Sequence, residues 1–235
     1  MSDLVFETEF LNDYMSMVED TESPRIYHVW AAVSAMAASL GRRCKFKLGP
    51  FDIFPNHYIL LVGNPAVRKS SASSIMKKNL TKATGVRFAP PDTAGQRQGL
   101  VSAMKGQEDQ NPEFVGAVDL ATADKSLLTL GDIERVTNVL EEDDPGYESF
   151  KAHKLDKHHI MVVANEFSRF IGQNNLGMLD FLTTMWDGDD YEYQTKENLV
   201  RLQNPLVNIF GATTPTMLAN SMPPSAGGQG FLSRI

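Results

Sequence analysis

The residues whose types and spacing most clearly indicate a chemical role lie in the segment HYILLVGNPAVRKS, at positions 57–70. An apolar run ends at Gly63, and Lys69 and Ser70 follow at the spacing of a phosphate-binding loop. In such a loop the backbone N–H groups of a helix N-terminus surround the anion, the lysine neutralises phosphate charge and the hydroxyl binds Mg²⁺. Arg68 stands where this loop usually carries its second glycine. The segment therefore predicts a nucleotide-binding loop with one departure.

The predicted loop makes its contacts with the nucleotide through a continuous run of residues. These residues are Gly63, Asn64, Pro65, Ala66, Val67, Arg68, Lys69, Ser70 and Ser71. Arg68 has two interpretations: a solvated surface charge, or a guanidinium that folds toward the γ-phosphate and adds charge stabilisation.

A second candidate is the segment IMVVANEF, an apolar run that ends in Asn165 and Glu166. It resembles the second signature of ATPases, in which carboxylates organise Mg²⁺ and orient the attacking water. We expect Glu166 to polarise the water. Asn165 replaces the usual aspartate and would contact magnesium through water, together with Ser70, without adding negative charge. The alternative for Glu166 is a carboxylate that only caps the following helix.

Two further positions come from the C-terminal third of the chain. Thr213 and Thr214 end the apolar segment VNIFGATTP and are placed either to sense the γ-phosphate or to cap a helix that begins at Pro215. Arg234 follows the glycine-rich segment GGQGF and is a candidate arginine finger supplied to a neighbouring subunit. Its alternative is a surface arginine.

Other residues are expected to be structural. His153, His158 and His159 cluster in a polar context without a nearby cysteine, so no metal site is expected there. The single cysteine, Cys44, excludes an internal disulfide and is predicted to be a small buried residue. Trp30, Trp186 and the methionines are predicted to lie in the core.

Composition limits the class of protein. The chain has 235 residues, of which 42% are hydrophobic and 22% charged, and this predicts one folded domain. No apolar run approaches the roughly 20 residues of a membrane span, and the acidic N-terminus does not resemble a secretory signal, so a cytoplasmic protein is expected. The net charge of −7 argues against a broad DNA-binding face. A local basic loop, or a basic pore built from several subunits, would not be visible in the net charge of the whole chain.

The predicted elements alternate between helices and strands. A helix is expected from Pro24 to Gly41, followed by a strand in RRCKFKLG, and HYILLV is expected to be a central parallel strand. Further along, the patterns predict a helix ending at Gly85, a short strand in RFAP and a helix capped by Asp92 or Thr93. A strand in HHIMVVA is followed by a core helix in NNLGMLDFLTTMWDG, which is expected to pack through Leu176, Leu179, Leu182 and Met185. A hairpin in YEYQTKENLVRL and a strand in PLVNIFGATT complete the order.

This order predicts an α/β fold with a mainly parallel central sheet flanked by helices, in which ligands bind at the carboxyl ends of the strands. A short helical segment, residues 1–42, is expected to precede a nucleotide-binding domain at 43–235. Residues 106–157 are predicted to be an insertion or a lid.

The chain resembles a family of phage and prophage P-loop NTPase domains that occur in replication proteins of the primase-helicase kind and are related to RecA/DnaB-type hexameric helicases. The resemblance extends from about Trp30 to the C-terminus. It rests on the segments FPNHYILLVGNPAVRKSSA, RFAPPDTAGQRQGLVSAM, MVVANEFSRFI, LTTMWDGDDYEY, NPLVNIFGATTPTML and GGQGFLSRI. In that family, arginine before the loop lysine is a tolerated variant.

The resemblance implies a RecA-like fold that binds ATP and Mg²⁺, with Gly63, Lys69 and Ser70 at the nucleotide. It also implies hydrolysis by Glu166, sensing by Thr213 or Thr214, and a finger or sensor role for Arg234. The implied function is an ATPase motor acting on single-stranded DNA as a hexamer or other ring, beside partners such as a primase. Family members continue past GFLSRI, so the chain is expected to be a fragment or a truncated gene product.

A different class of function is also consistent with the sequence. Asn165 and the acidic charge favour a nucleotide-dependent switch or scaffold, such as a helicase loader or a phage defence or counter-defence component, with weak or no hydrolysis. A vestigial fold that binds no nucleotide is the third alternative.

Overall fold

The structure is a computed structural model that describes residues 9–83, 86–90, 96–105, 158–194, 199–223 and 230–235. In chain order its elements are α1 (Glu9–Met17), α2 (Arg25–Leu40), β1 (Phe46–Leu48), β2 (Phe51–Ile53), β3 (Tyr58–Val62), α3 (Lys69–Ala83), α4 (Arg97–Lys105), β4 (His159–Ala164), α5 (Phe167–Ile171), α6 (Leu176–Asp187), β5 (Tyr191–Gln194), β6 (Leu199–Leu202), β7 (Leu206–Thr213), α7 (Pro215–Ser221) and a 3-10 turn (Leu232–Arg234).

The described strands of the main sheet are parallel and lie in the order β3-β7-β4. The prediction that HYILLV is the central strand is wrong for this sheet, because β7 lies between β3 and β4. All eight residues of β7 are buried, whereas β3 has a mixed pattern that ends in an exposed Val62. The predicted strand in RFAP is reduced to a single bridge between Phe88 and Met161.

Helices cover both faces of this sheet, as expected for α/β packing. Alternate residues of β7 point to opposite faces, so Phe210 packs with α2 and α3 while Ile209 packs with α5 and α6. At Gly211 an added Cβ would lie 2.9 Å from a ring carbon of Phe167. The glycine therefore lets α5 approach the central strand closely, and this contact fixes the chain next to Glu166.

The N-terminal helices pack onto the same body. α2 begins after Pro24 and ends at Gly41, as predicted. Its buried alanines and His28 face the sheet and α1, and its small side chains let it lie close to α3. The predicted hairpin in YEYQTKENLVRL is confirmed by the antiparallel pairing of β5 with β6.

Several packing predictions are wrong, and they include the core placement of Met17 and Met217, which are 56% and 44% exposed. Cys44 is exposed, because it lies in the segment that leads from α2 into the exposed β1-β2 hairpin. Trp30 is 44% exposed, on the outer face of α2, and Leu176 is 38% exposed at the first turn of α6. Leu179, Leu182 and Met185 are buried as predicted.

Some predictions fall outside the described residues. These are the helix end at Gly85, the caps at Asp92 or Thr93, the insertion or lid at 106–157 and His153. In the described part of the chain, no helix has both the length and the hydropathy that crossing a bilayer requires.

Candidate active site

The carboxyl ends of the three parallel strands meet at one edge of the sheet. Val62 pairs with Thr213, and Ala164 pairs with Gly211. The N–H of Gly63 donates to the carbonyl of Thr213 at 3.2 Å, which ties the start of the loop to the end of the central strand. The topology thus brings the predicted loop and the predicted acidic strand end to the same edge.

The side chain of Lys69 contacts the backbone of the loop between β3 and α3. Lys69 is the first residue of α3, and its Nζ donates to the carbonyls of Gly63 and Asn64 at 2.7 and 2.8 Å. The ammonium therefore lies over the loop, where the N-terminus of the 15-residue α3 adds further positive potential. This arrangement is suited to an anion.

Gly63 lies close to α2 and to the rest of its own loop. A Cβ at this position would lie 2.6 Å from the hydroxyl oxygen of Tyr27 and 3.2 Å from a methyl of Val67. Tyr27 belongs to α2, so the glycine lets α2 support the first residue of the loop.

Arg68 adopts a backbone conformation that suits glycine. Its φ is +57°, in the left-handed region, and Ala66 also has a positive φ of 67°. The guanidinium pairs with Glu22 at 2.7 Å, and the Arg68 carbonyl accepts from the Ser23 hydroxyl at 3.1 Å. The turn before α2 thus holds a strained residue in place. Sequence reasoning missed Glu22 and Ser23, because contacts across about 45 positions leave no local signal.

Glu166 belongs to a short chain of hydroxyls. It occupies the N-cap position of α5, yet its side chain makes no capping hydrogen bond. Its Oε1 instead accepts from the buried Thr213 hydroxyl at 2.9 Å, and the Ser168 hydroxyl lies 2.9 Å from the same Thr213 oxygen. Since Thr213 donates to Glu166, Ser168 donates to Thr213. Ser168 was not predicted from the sequence.

Asn165 is held by α3. Its Oδ1 accepts from the buried hydroxyl of Ser73 at 2.7 Å. Because β7 separates β3 from β4, the loop strand and the strand of Asn165 and Glu166 lie about 10 Å apart.

The oxygen donors at this edge fit a hard cation. The hydroxyl of Ser70, the amide oxygen of Asn165 and the carboxylate of Glu166 are ligand types that Mg²⁺ accepts, directly or through water. The described residues contain no group of three or more His, Cys, Asp or Glu side chains placed to hold a metal. A magnesium ion bound together with a nucleotide would also take oxygen ligands from phosphate and water.

The two threonines have different partners. The Thr214 hydroxyl accepts from the N–H of Met217 at 3.2 Å, and Pro215 occupies the first turn of α7. Thr214 is therefore the helix cap, whereas Thr213 contacts Glu166.

Arg234 lies away from Lys69 and Glu166 within its own chain. Its Nη2 donates to both carboxylate oxygens of Asp187, at 2.9 and 3.1 Å, and its Nη1 donates to the carbonyl of Gly230. Tyr58, the first residue of β3, is close enough for the charges of Arg234 and Asp187 to act on its phenol, whose pKa is raised mainly by burial. The pair therefore lies near the amino ends of the strands.

Comparison with known proteins adds no identification. No protein-family model matches this sequence, and no curated protein matches it significantly.

Proposed function

We propose that this chain is a P-loop ATPase with a RecA-like core, which binds Mg-ATP at the carboxyl edge of the sheet and hydrolyses it. The observation that carries the proposal is the placement of Glu166. Thr213 holds its carboxylate on the far side of the central strand from Lys69. A lysine-bearing loop and an oriented carboxylate, separated by one strand, match the needs of phosphoryl transfer to water.

Each residue has a role in this proposal. Bound Mg-ATP supplies the electrophilic γ-phosphate and the charge of the metal. Lys69 would exchange its two carbonyl partners for phosphate oxygens, and the Ser70 hydroxyl would help to hold the metal. Glu166 keeps Oε1 on Thr213, which leaves Oε2 to orient the attacking water. Such positioning by a general base contributes about 10² to 10⁴ in rate.

We propose further that the ATPase is the motor of a phage-type replicative helicase or primase-helicase, assembled as a ring on single-stranded DNA. The support is the sequence resemblance and the separation of Arg234 from Glu166 in one chain. A finger from Arg234 would have to act on a neighbouring subunit, and it would exchange Asp187 for phosphate. The exchange conserves the type of contact, because both partners are oxyanions that accept from a planar guanidinium.

A nucleotide-dependent switch or scaffold with weak hydrolysis is the second candidate. Two contacts favour it: the oxygen of Asn165 is already engaged by Ser73, and Arg68 is paired with Glu22 rather than aimed at the phosphate position. The first contact competes with a magnesium-bound water for the Asn165 oxygen, and the second keeps the positive charge of Arg68 away from the transition state.

The test is steady-state Mg-ATP hydrolysis across a series of protein concentrations, with and without single-stranded DNA. Lys69→Ala is the blank. Lys78→Ala, which removes an exposed lysine from the same helix, is the matched control. The motor predicts turnover that rises with protein concentration and with DNA, and Lys78→Ala should behave as the parent.

The same experiment separates the candidates when it includes binding of a fluorescent ATP analogue. Tight binding with turnover equal to that of Lys69→Ala would favour the switch. Equal binding by the parent and by Lys69→Ala, without turnover, would refute a nucleotide site in this loop.

A further inference from the structure

The β1-β2 hairpin carries an apolar face that the described residues leave uncovered. Its strands pair Phe46 with Ile53 and Leu48 with Phe51, so these four side chains lie on one face. They are 64%, 46%, 57% and 68% exposed, respectively. All residues from 43 to 53 are exposed. A contiguous patch of this kind is typical of an interaction surface.

The hairpin is also basic within an acidic protein. Residues 42–53 contain four basic residues and one acidic residue, Asp52, although the whole chain has a net charge of −7. Lys45 pairs with Asp52 at 2.6 Å, and by strand alternation this pair lies on the face opposite to the four apolar side chains. A partner for this hairpin should therefore combine apolar surface with negative charge.

The start of α2 offers that combination. Ile26 and Trp30 lie one turn apart on its outer face and are 49% and 44% exposed. Residues 9–25 contain five acidic residues and one basic residue, Arg25, and one of the acidic residues, Glu22, is paired with Arg68. Among these, Glu19 and Asp20 are exposed in the turn that leads to α2.

The two surfaces lie at opposite ends of α2, so they cannot meet within one chain. The start of α2 is beside the phosphate loop, where Ser23 contacts Arg68, and its end is beside β4, where Gly41 packs against His159. A helix of 16 residues is about 24 Å long. The hairpin follows the far end after only a few residues.

We infer that the hairpin of one copy docks on the outer face of α2 in a second copy, through Phe46 and Phe51 against Ile26 and Trp30. The contact joins two different surfaces, so it repeats head to tail and builds a ring or a filament. It places the basic hairpin at the loop edge of the neighbour. The inference deepens the proposed ring ATPase and rests on it for its function, while the contact itself can be measured without nucleotide chemistry.

The test is sedimentation velocity of the whole chain over a concentration series, with and without Mg-ATP. One variant is Phe46→Ser with Phe51→Ser, and the other is Ile26→Ser with Trp30→Ser. The control is Leu199→Ser, which removes a side chain that is 49% exposed on β6. All substituted side chains are exposed, so the fold should persist. Each double variant should self-associate at least about tenfold more weakly than the parent, whereas the control should not change.

Mixing the two double variants gives the sharpest outcome. One intact hairpin and one intact α2 face remain in the mixture, so a 1:1 complex should form and nothing larger. Failure of the mixture to associate would refute the head-to-tail contact, as would a parent that stays monomeric throughout or a hairpin variant that associates as the parent does.

A second readout identifies the competing occupant and separates this inference from the proposed function. Binding of a labelled oligothymidine that is lost only in the hairpin variant, with self-association unchanged, would assign the hairpin to single-stranded nucleic acid instead. Binding of the fluorescent ATP analogue is measured on the same samples. Intact nucleotide binding without assembly overturns only the docking surface, and assembly without nucleotide binding overturns only the ATPase.

Discussion

The amino and carboxyl edges of the parallel sheet differ in how far their polar side chains are buried. At the amino edge, Asn208 accepts from the N–H of His57 at 2.9 Å and faces Nε2 of His159 at 3.1 Å, and the Tyr58 hydroxyl donates to the carbonyl of Leu182. Asn208, His159 and Tyr58 are buried. At the carboxyl edge, Lys69 and Glu166 are partly exposed.

This difference indicates that the amino edge serves stability and that the carboxyl edge serves function. A buried polar group needs a partner inside the protein, and the hydrogen bonds of Asn208 and Tyr58 tie the amino edge to neighbouring elements and help to fix the register of the strands. The carboxyl edge keeps donors and charge within reach of solvent and stores backbone strain at Ala66 and Arg68. Substitutions at the amino edge should therefore change stability, whereas substitutions of the reactive side chains Lys69 and Glu166 at the carboxyl edge should mainly change nucleotide chemistry.

The largest effect is expected for Glu166→Gln. The amide cannot accept a proton from water, so turnover should fall by about 10² to 10⁴, or about 3 to 5 kcal/mol, while ATP binding persists. Steady-state hydrolysis and binding of the fluorescent analogue measure the two quantities. Glu192→Gln, on the exposed β5-β6 hairpin, is the control and should keep parental turnover. Retained turnover in Glu166→Gln would mean that another group orients the water.

The amino edge should make the protein acid-sensitive through His159. Asn208 uses its oxygen for His57, so its amide nitrogen donates to Nε2 of His159, which must be unprotonated. Burial, with the charges of Arg87 and Arg43, lowers the pKa of His159 from 6.5 to about 4.

The sign of the pH effect follows from proton uptake. Between pH 6.5 and 4 the unfolded chain binds a proton at this position that the folded chain does not, so the free energy of unfolding falls as pH falls through this range. The loss is about 3 kcal/mol at most. Urea unfolding at a series of pH values measures it. His159→Gln keeps an acceptor for Asn208 and should show a flatter dependence, and an unchanged slope would contradict the assignment.

Gly63→Ala should destabilise the carboxyl edge by about 1 to 3 kcal/mol, because the new methyl group overlaps the hydroxyl of Tyr27. Thermal or urea unfolding measures the loss. In a Tyr27→Phe background the same substitution should cost less, since the overlapping oxygen is gone. Equal costs in both backgrounds would show that the Tyr27 contact does not determine the glycine.

The smallest effect is expected at Arg68. Arg68→Gly relieves the left-handed strain and loses only an exposed ion pair with Glu22, so it should stabilise the protein by about 1 kcal/mol and leave turnover within a few-fold of the parent. Arg68→Ala removes the same pair but keeps the strain, and it should be less stable than Arg68→Gly. A large loss of turnover in Arg68→Gly would instead assign the guanidinium to the phosphate.

Much of the local structure was accessible from sequence patterns. The helix from Pro24 to Gly41 and the strands of β4 and β7 follow from apolar spacing and end signals. The exposure of Cys44 and Trp30 could not be predicted from the sequence, because the burial of a side chain depends on which distant element covers it. A cysteine is usually buried, but the segment after α2 leaves the body of the protein.

The sequence by itself determined the chemistry available at this site: a glycine, a lysine and a serine at fixed spacing, and a glutamate at the end of an apolar strand. These features are local, so residue types and intervals express them. Tertiary structure decided the arrangement. It placed β7 between β3 and β4, joined Thr213 and Ser168 to Glu166, and set Glu22 and Ser23 against Arg68. Such pairings come from the burial of whole helices and strands against one another, and no short segment encodes them.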